Sequence, residues 1–164
     1  EILKDVVLLT PGRGASPADA LEAIVAMWTE NLGLDSDIAI EQEDLGLFLR
    51  DIDESNFGLF SLGWIADYPD PQNFLDIKFH SQSANNEVGY SNSEVDDLLE
   101  EALQETDEAK RLELYQDAEQ IIVDDAAWIP LYHGKASVLI KPYVKGYTIP
   151  PFIIPNLRYV SIEQ

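Results

Sequence analysis

The stretch FGLFSLGWIADYPD, residues 57–70, decides the fold of this chain. It begins with a nearly continuous apolar run from Phe57 to Trp64, which is typical of a strand buried on both faces of a sheet. A loop follows at once, in which Asp67 and Asp70 stand among aromatic residues and prolines. The stretch therefore predicts a buried strand that ends in a polar loop, and the elements before it identify the sheet.

Those preceding elements alternate between strand and helix. Residues 5–10 form a short apolar run that ends at a Pro-Gly pair, and residues 38–40 alternate between apolar and polar side chains, so both predict strands. A helix over residues 17–32 has a serine before its first proline and a glycine after its end, and Asp44 caps a second helix. Strand, helix, strand, helix, strand is the order of a parallel sheet with right-handed crossovers.

The second half of the chain is predicted to be helical and then extended. Two apolar stripes at helical spacing indicate a helix that starts at a capping box of Ser93 and Asp96, and another that follows a break at residue 107. Residues 128–140 contain two β-prone runs joined by His-Gly-Lys and predict a hairpin. Residues 142–164 are apolar and rich in proline, which predicts an extended tail.

Composition predicts an acidic domain of ordinary size. A chain of 164 residues can bury about two-thirds of its unfolded surface. The formal net charge of −21 repels phosphate backbones and argues against a nucleic-acid partner. This charge fits a well-solvated surface, or a protein of salty surroundings in which screening removes self-repulsion. No apolar run approaches the ~20 residues that span a bilayer, and the lack of cysteine excludes thiolate chemistry.

The loop after the third strand holds the candidate site residues. Ligands of parallel sheets bind beyond the carboxyl ends of the strands, where Trp64 and Asp67 lie. Asp70 precedes a proline that can open a short helix, so an N-cap role explains its carboxylate. Asp67 has no helix start that needs it, and beside Trp64 and Tyr68 it suits a cation with an apolar body, such as an α-ammonium group. A plain turn residue is the alternative that the loop leaves open for Asp67.

Other patterns do not support metal, phosphate or nucleophile chemistry. Asp35 begins like a calcium loop, but the required glycine at the sixth position is Ile40. His80 and His133 have no metal-ligand spacing. The glycine-rich residues 11–14 lack the lysine of a phosphate loop, and no nucleophile elbow is present. The sequence therefore predicts no metal and no cofactor.

Ordered motifs from residue 63 onward resemble those of one family. The motifs are GWIADYPDP (63–71), NFL (73–75), YSNSEVD (90–96), RL (111–112), IPLY (129–132) and VKGY (144–147). Each motif alone is weak, and their common order is specific. In this order they resemble the extracellular solute-binding proteins of ABC importers, in the dipeptide and oligopeptide group known as family 5.

The resemblance implies an α/β lobe of the periplasmic-binding-protein type II, with a mostly parallel sheet flanked by helices, a C-terminal hairpin and an extended tail. Family members are much longer and close two lobes over a ligand. Because this chain starts inside a predicted strand, without a signal peptide, we expect it to be an excised piece. Residues 1–141 are expected to be the second, C-terminal lobe, and residues 142–164 the return segment that crosses the hinge toward the missing first lobe.

The resemblance also implies a function without catalysis. We expect a periplasmic or extracellular protein, with any membrane anchor upstream, that binds a peptide or related solute for a membrane permease; some relatives carry nickel complexes, haem or sugars. The family's aspartate that pairs with the peptide's α-ammonium corresponds to Asp67, and its pocket aromatic to Trp64. Tyr68 is the third expected ligand-binding residue, and Asp70 is expected to be a structural cap.

A hydrolase that uses Asp67 and Asp70 as a carboxylate pair is the alternative of a different class. It requires one carboxyl group with a raised pKa and a separation of roughly 5–9.5 Å. If Asp70 caps a helix, its carboxylate is kept ionised and cannot be the acid.

The apolar tail predicts self-association of this chain. Phe152, Ile153, Ile154 and Leu157 would lack the first lobe that they are expected to bury. Tyr159, Val160 and Ile162 are β-prone and can add a strand to an exposed edge of a neighbouring copy. A protein-interaction module is the third function class that this tail leaves open.

Overall fold

The computed structural model describes residues 6–12, 17–33, 38–54, 58–133, 135, 137–149 and 157–163. These residues fall into two units that divide after Trp64, with unit 1 before this boundary and unit 2 from Ile65 onward. Within the described ranges, no helix combines the length and apolar character needed to cross a membrane.

Unit 1 is a three-stranded parallel sheet with two crossover helices. The strands are β1 (Val7–Pro11), β2 (Ala39–Glu43) and β3 (Leu59–Phe60), and β1 lies between the other two and parallel to both. Helix α1 (Pro17–Leu32) connects β1 to β2, and helix α2 (Leu45–Asp53) connects β2 to β3. The predicted parallel α/β sheet is confirmed.

The central strand places one apolar side chain on each face of the sheet. Neighbouring residues of a strand point to opposite faces, so Leu8 and Leu9 serve different helices. Leu8 packs in a buried cluster with Leu21 and Val25 of α1. Leu9 packs in another cluster with Phe48 of α2. Each face of the sheet is therefore covered by one helix.

Local signals set the ends of these helices as predicted. The carboxylate of Asp44 accepts a hydrogen bond from the backbone N–H of Gly46 at 2.9 Å and caps α2. Gly33 follows α1 with a φ of +63°, a conformation that glycine adopts without strain. The predicted N-cap serine of α1, Ser16, lies outside the described residues.

The third strand is shorter and more exposed than predicted. Only Leu59 and Phe60 pair with β1, and both are half-buried because β3 lies at an edge of the sheet. Trp64 is also half-buried, and Phe57 lies outside the described residues. The prediction of a strand buried on both faces is wrong for the described part of this stretch.

Unit 2 is mainly helical. A 3-10 helix (Pro71–Asn73) leads into α3 (Leu75–Phe79), and then come α4 (Ser93–Gln104) and α5 (Glu108–Asp124). The buried side chains of α3, α4 and α5 form one apolar core. Its members are Leu75, Phe79, Val95, Leu99, Ala102, Tyr115, Ala118 and Ile122. The two helices predicted from apolar stripes are confirmed.

The start of α4 differs from the predicted capping box. Asn92, not Ser93, is the N-cap, and its side-chain oxygen accepts from the backbone N–H of Glu94 at 3.0 Å. Asn and Ser cap helices about equally well, so the extended backbone of residue 92 decides the start. The carboxylate of Asp96 instead accepts from the backbone N–H of Ser81 at 2.8 Å.

The predicted hairpin at residues 128–140 is wrong for the described residues of that range, which contain no strand. Their side chains lie largely in solvent, with Leu139 fully exposed, and a hairpin without a packing surface is marginal. The antiparallel pair is formed instead by β4 (Val144–Lys145) and β5 (Ser161–Ile162).

Candidate functional site

Along the chain, the predicted site residues lie on both sides of the division between the two units. Trp64 is the last residue of unit 1, whereas Asp67, Tyr68 and Asp70 belong to one loop of unit 2. This loop enters the 3-10 helix at Pro71. Asp67 and Tyr68 are exposed, and Asp70 is partly buried.

Asp67 has a hydrogen-bonded backbone and an exposed carboxylate. Its N–H donates to the side-chain oxygen of Asn73 at 3.1 Å, and the Asn73 side chain is completely buried. Among the described residues, none forms a hydrogen bond or ion pair with the Asp67 carboxylate. The negative charge is therefore held on a fixed loop and is open to a cation from solution.

Asp70 is the opposite case, because protein groups engage both of its carboxylate oxygens. Its Oδ1 accepts from the backbone N–H of Gln72 at 2.9 Å, which caps the 3-10 helix. The guanidinium of Arg111 donates to both oxygens, at 2.8 Å each. The hydrogen bond from Arg111 lowers the pKa of Asp70 below its ordinary value, aided by the bond from Gln72 and opposed by burial.

This arrangement disqualifies Asp70 as the acid of the hydrolase hypothesis. A general acid needs a carboxyl group that holds its proton near neutral pH, and Asp70 is kept ionised. The two aspartates of the loop thus differ in chemistry, because the Asp70 carboxylate is paired with Arg111 and the Asp67 carboxylate faces solvent.

Tyr68 offers its ring, because its hydroxyl is engaged within the loop. The hydroxyl donates to the side-chain oxygen of Gln72, and the amide nitrogen of Gln72 donates to Asp76 at 2.9 Å. The Tyr68 side chain is 40% exposed. It can therefore contact a ligand through an aromatic face.

Arg111 is the partner of Asp70 that the sequence did not predict. Besides Asp70, it donates from Nε to the carbonyl of Ala102 at 3.1 Å and from Nη2 to the hydroxyl of Tyr115 at 3.1 Å. The only indication in the sequence was its positive charge, because the chain has only ten Lys and Arg against 31 Asp and Glu. In such a chain each cation has many acidic candidates for a partner.

A buried ion pair in unit 2 was also missed. The Lys78 side chain is 1% exposed, and its Nζ lies 2.6 Å from Oε1 of Glu87, whose side chain is 12% exposed. Nζ also lies 3.4 Å from the backbone carbonyl of Asn85. The pair ties α3 to the loop that precedes α4.

The two histidines lie outside this loop in the sequence. His80 lies 3.9 Å from Asp96 and 3.5 Å from Glu100, and His133 is exposed. Within the described ranges, no three or more His, Cys, Asp and Glu side chains are grouped to hold a metal ion.

Comparison with known proteins relates the chain to bacterial binding proteins. No family model matches it. The periplasmic oligopeptide-binding protein OppA of Salmonella typhimurium is 35% identical over 126 residues, which cover 77% of this chain and 23% of that protein. The heme-binding protein A of Haemophilus influenzae is 33% identical over 150 residues, which cover 90% of this chain and 27% of that protein.

Solved structures show the same relationship. The murein tripeptide-binding protein MppA of Escherichia coli superposes with a TM-score of 0.83 at 27% identity, over 96% of this chain and 30% of that one. The OppA of Haemophilus influenzae in complex with RPPGFSPFR gives the same values. The chain belongs to the oligopeptide-binding protein family. The resemblance of its ordered motifs to this family is thereby confirmed.

The chain matches only a part of each of these relatives. The chain spans about a quarter of the length of the curated relatives that it matches.

Proposed function

We propose that this chain is part of the substrate-binding component of an ABC importer, which captures peptides or a related small solute between two lobes and delivers it to a membrane permease. The protein acts in the periplasm or outside the cell and is not an enzyme. The observation that carries the proposal is the exposed carboxylate of Asp67, which pairs with none of the described residues, on an anchored loop in a chain of the oligopeptide-binding family.

Three residues of this chain contribute to the site in the proposal. Asp67 pairs with the α-ammonium group of the ligand, Tyr68 contributes its ring, and Trp64 forms a wall of a side-chain pocket. Residues 1–141 are the second lobe and residues 142–164 the return segment toward the first, which supplies the remaining contacts. The relative named heme-binding protein A supports a solute range wider than peptides.

Recognition of the ammonium group predicts a preference that a mixed library can measure. The full-length protein that contains this chain is incubated with an equimolar library of short peptides, half of it N-acetylated, and the bound fraction is identified by mass spectrometry. A charged hydrogen bond contributes about 1.5–3 kcal/mol, so free peptides should be enriched roughly ten- to a hundredfold over acetylated ones. Equal recovery of both forms would refute ammonium recognition, and an empty bound fraction would refute peptide capture.

We also propose that the 164-residue chain associates with other copies of itself through its tail. Leu157 and Ile162 are 62% and 69% exposed, whereas the predicted contacts of Phe152, Ile153 and Ile154 lie outside the described residues. The pairing of β5 with β4 occupies only the short Ser161–Ile162 segment. Burying a large apolar side chain yields about 1.5–3 kcal/mol, which favours docking between copies.

Light scattering of the 164-residue chain at about 150 mM salt, where its negative charge is screened, tests this association. We expect a mass above that of the monomer, which falls to the monomer after truncation before Pro142. The double variant Leu157→Lys with Ile162→Lys should also be monomeric without loss of the segment. A monomer at high micromolar concentration, with or without the tail, would contradict the proposal.

A further inference from the structure

Three hydrogen bonds between nearby residues close the loop of Asp67. Asp67 N–H bonds the Asn73 side chain at 3.1 Å, Asp70 N–H bonds the carbonyl of Tyr68 at 2.9 Å, and Asn73 N–H bonds the carbonyl of Asp70 at 3.1 Å. Asn73, which takes part in two of these bonds, ends a 3-10 helix of only three residues. Helical turns of this length have little stability of their own, so the loop depends on an external attachment.

Arg111 provides that attachment. Its two Nη atoms donate parallel hydrogen bonds to the two oxygens of the Asp70 carboxylate, and such bidentate pairs are strong and directional. Its Nε bonds the Ala102 carbonyl in the last turn of α4, and Nη2 bonds the hydroxyl of Tyr115, which is 2% exposed in the core of unit 2. One guanidinium thus connects the Asp67 loop to both long helices.

We propose that Arg111 is a positioning residue for ligand capture, which holds the loop so that the Asp67 carboxylate meets the ammonium group of the ligand. This inference rests on the proposed function. Arg111 does not itself contact the ligand, and it acts through Asp70 and the 3-10 helix. Without the hydrogen bonds between Arg111 and Asp70, the loop can sample other positions, and the ligand must then order it again on binding.

A positioning role and a purely electrostatic role predict opposite changes in the affinity for a free peptide when Arg111 is replaced. A cation opposes the binding of an ammonium group, and its removal also leaves the Asp70 carboxylate uncompensated. If charge alone mattered, an Arg111→Met variant would bind a free peptide more tightly. A positioning role predicts weaker binding, because the Asp67 carboxylate is no longer held in place.

Calorimetry on the full-length protein, with trialanine and N-acetyl-trialanine as probes, tests this role. For Arg111→Met we expect the Kd of trialanine to rise about three- to tenfold, a part of the ten- to hundredfold value of a complete charged hydrogen bond. The Kd of the acetylated probe should rise less, because this probe lacks the ammonium group that Asp67 binds. In an Asp67→Asn background, Arg111→Met should have a smaller effect on the Kd of trialanine, since both changes act on the Asp67 contact.

Two controls separate positioning from general damage. Lys110→Met removes the same charge from the exposed neighbouring residue of α5. Tyr90→Phe removes the hydrogen bond to Asp125, 2.7 Å long, elsewhere in unit 2. Neither variant should change the ratio of the two dissociation constants. Arg111→Lys keeps the charge but not the bidentate grip, so it should show a smaller change in the same direction.

The outcomes are distinct. Equal weakening of both probes in Arg111→Met, or tighter binding of trialanine, overturns the positioning role. If Asp67→Asn weakens trialanine and Arg111→Met does not, the proposed function stands and the inference fails. If Asp67→Asn has no effect, the proposed site itself fails. Should Arg111→Met not fold, an unchanged ratio in the milder Arg111→Lys variant overturns the inference.

Discussion

Replacement of Asp67 by Asn in the full-length protein is expected to weaken the binding of peptides with a free ammonium group by roughly ten- to a hundredfold. The change keeps the size of the side chain and one carbonyl oxygen, and it removes the charge. A hydrogen bond between charged partners contributes about 1.5–3 kcal/mol net, which corresponds to this range in Kd. Because the carboxylate is exposed and no described residue pairs with it, folding should not be affected.

Titration calorimetry with free and N-acetylated peptide gives the measurement. The losses from Asp67→Asn and from acetylation should not add, because each removes the same pair. Asp97→Asn, an equal change of charge at an exposed position of α4, is the matched control and should leave Kd unchanged. An unaltered Kd in Asp67→Asn would return this residue to the alternative of a simple turn position.

Replacement of Lys78 by Met is expected to lower the free energy of unfolding by about 3–5 kcal/mol. Lys78 is almost fully buried, and its ammonium group compensates the Glu87 carboxylate at 2.6 Å. Removing one partner of a buried pair leaves an uncompensated charge in a poorly solvated place, which costs this much. The second oxygen of Glu87 is buried without a hydrogen-bond partner among the described residues, so Lys78 is the main compensation that they offer this carboxylate.

Urea denaturation of the full-length protein measures the effect. The double variant Lys78→Met with Glu87→Gln should recover most of the loss, because a neutral replacement of both partners is often nearly neutral in stability. Lys110→Met, at an exposed site, should change stability by less than about 0.5 kcal/mol. A single variant as stable as the double variant would show that the buried pair does not need its lysine.

Local and periodic features of this protein are predictable from sequence. The order of strands and helices in unit 1, the cap at Asp44 and the end of α1 at Gly33 depend on neighbouring residues, whose preferences act over one or two turns. The apolar stripes of α4 and α5 likewise predict the core of unit 2. The cap at Asn92 shows the limit, since two adjacent residues with similar capping ability cannot be ranked by type alone.

Contacts between distant residues are not predictable in this way. Arg111 and Asp70 are 41 positions apart, and a single sequence does not show which of 31 acidic residues an arginine will meet. Lys78 was missed for another reason, because lysine is almost never fully buried unless it is paired. The hairpin over 128–140 was predicted from β-prone residues, whose preference depends on a surface to pack against.

The central position of β1 has a consequence for the order in which unit 1 folds. Val7 lies opposite Ala39 and Leu8 opposite Leu59, so β1 leaves the ribosome before either of the strands with which it pairs. At about 5–20 residues per second, the chain from residue 8 to residue 59 takes roughly 3–10 seconds to synthesise. Until β2 is made the apolar β1 has neither neighbour, and until β3 is made it has only one, so chaperones have time to bind it before the sheet can close.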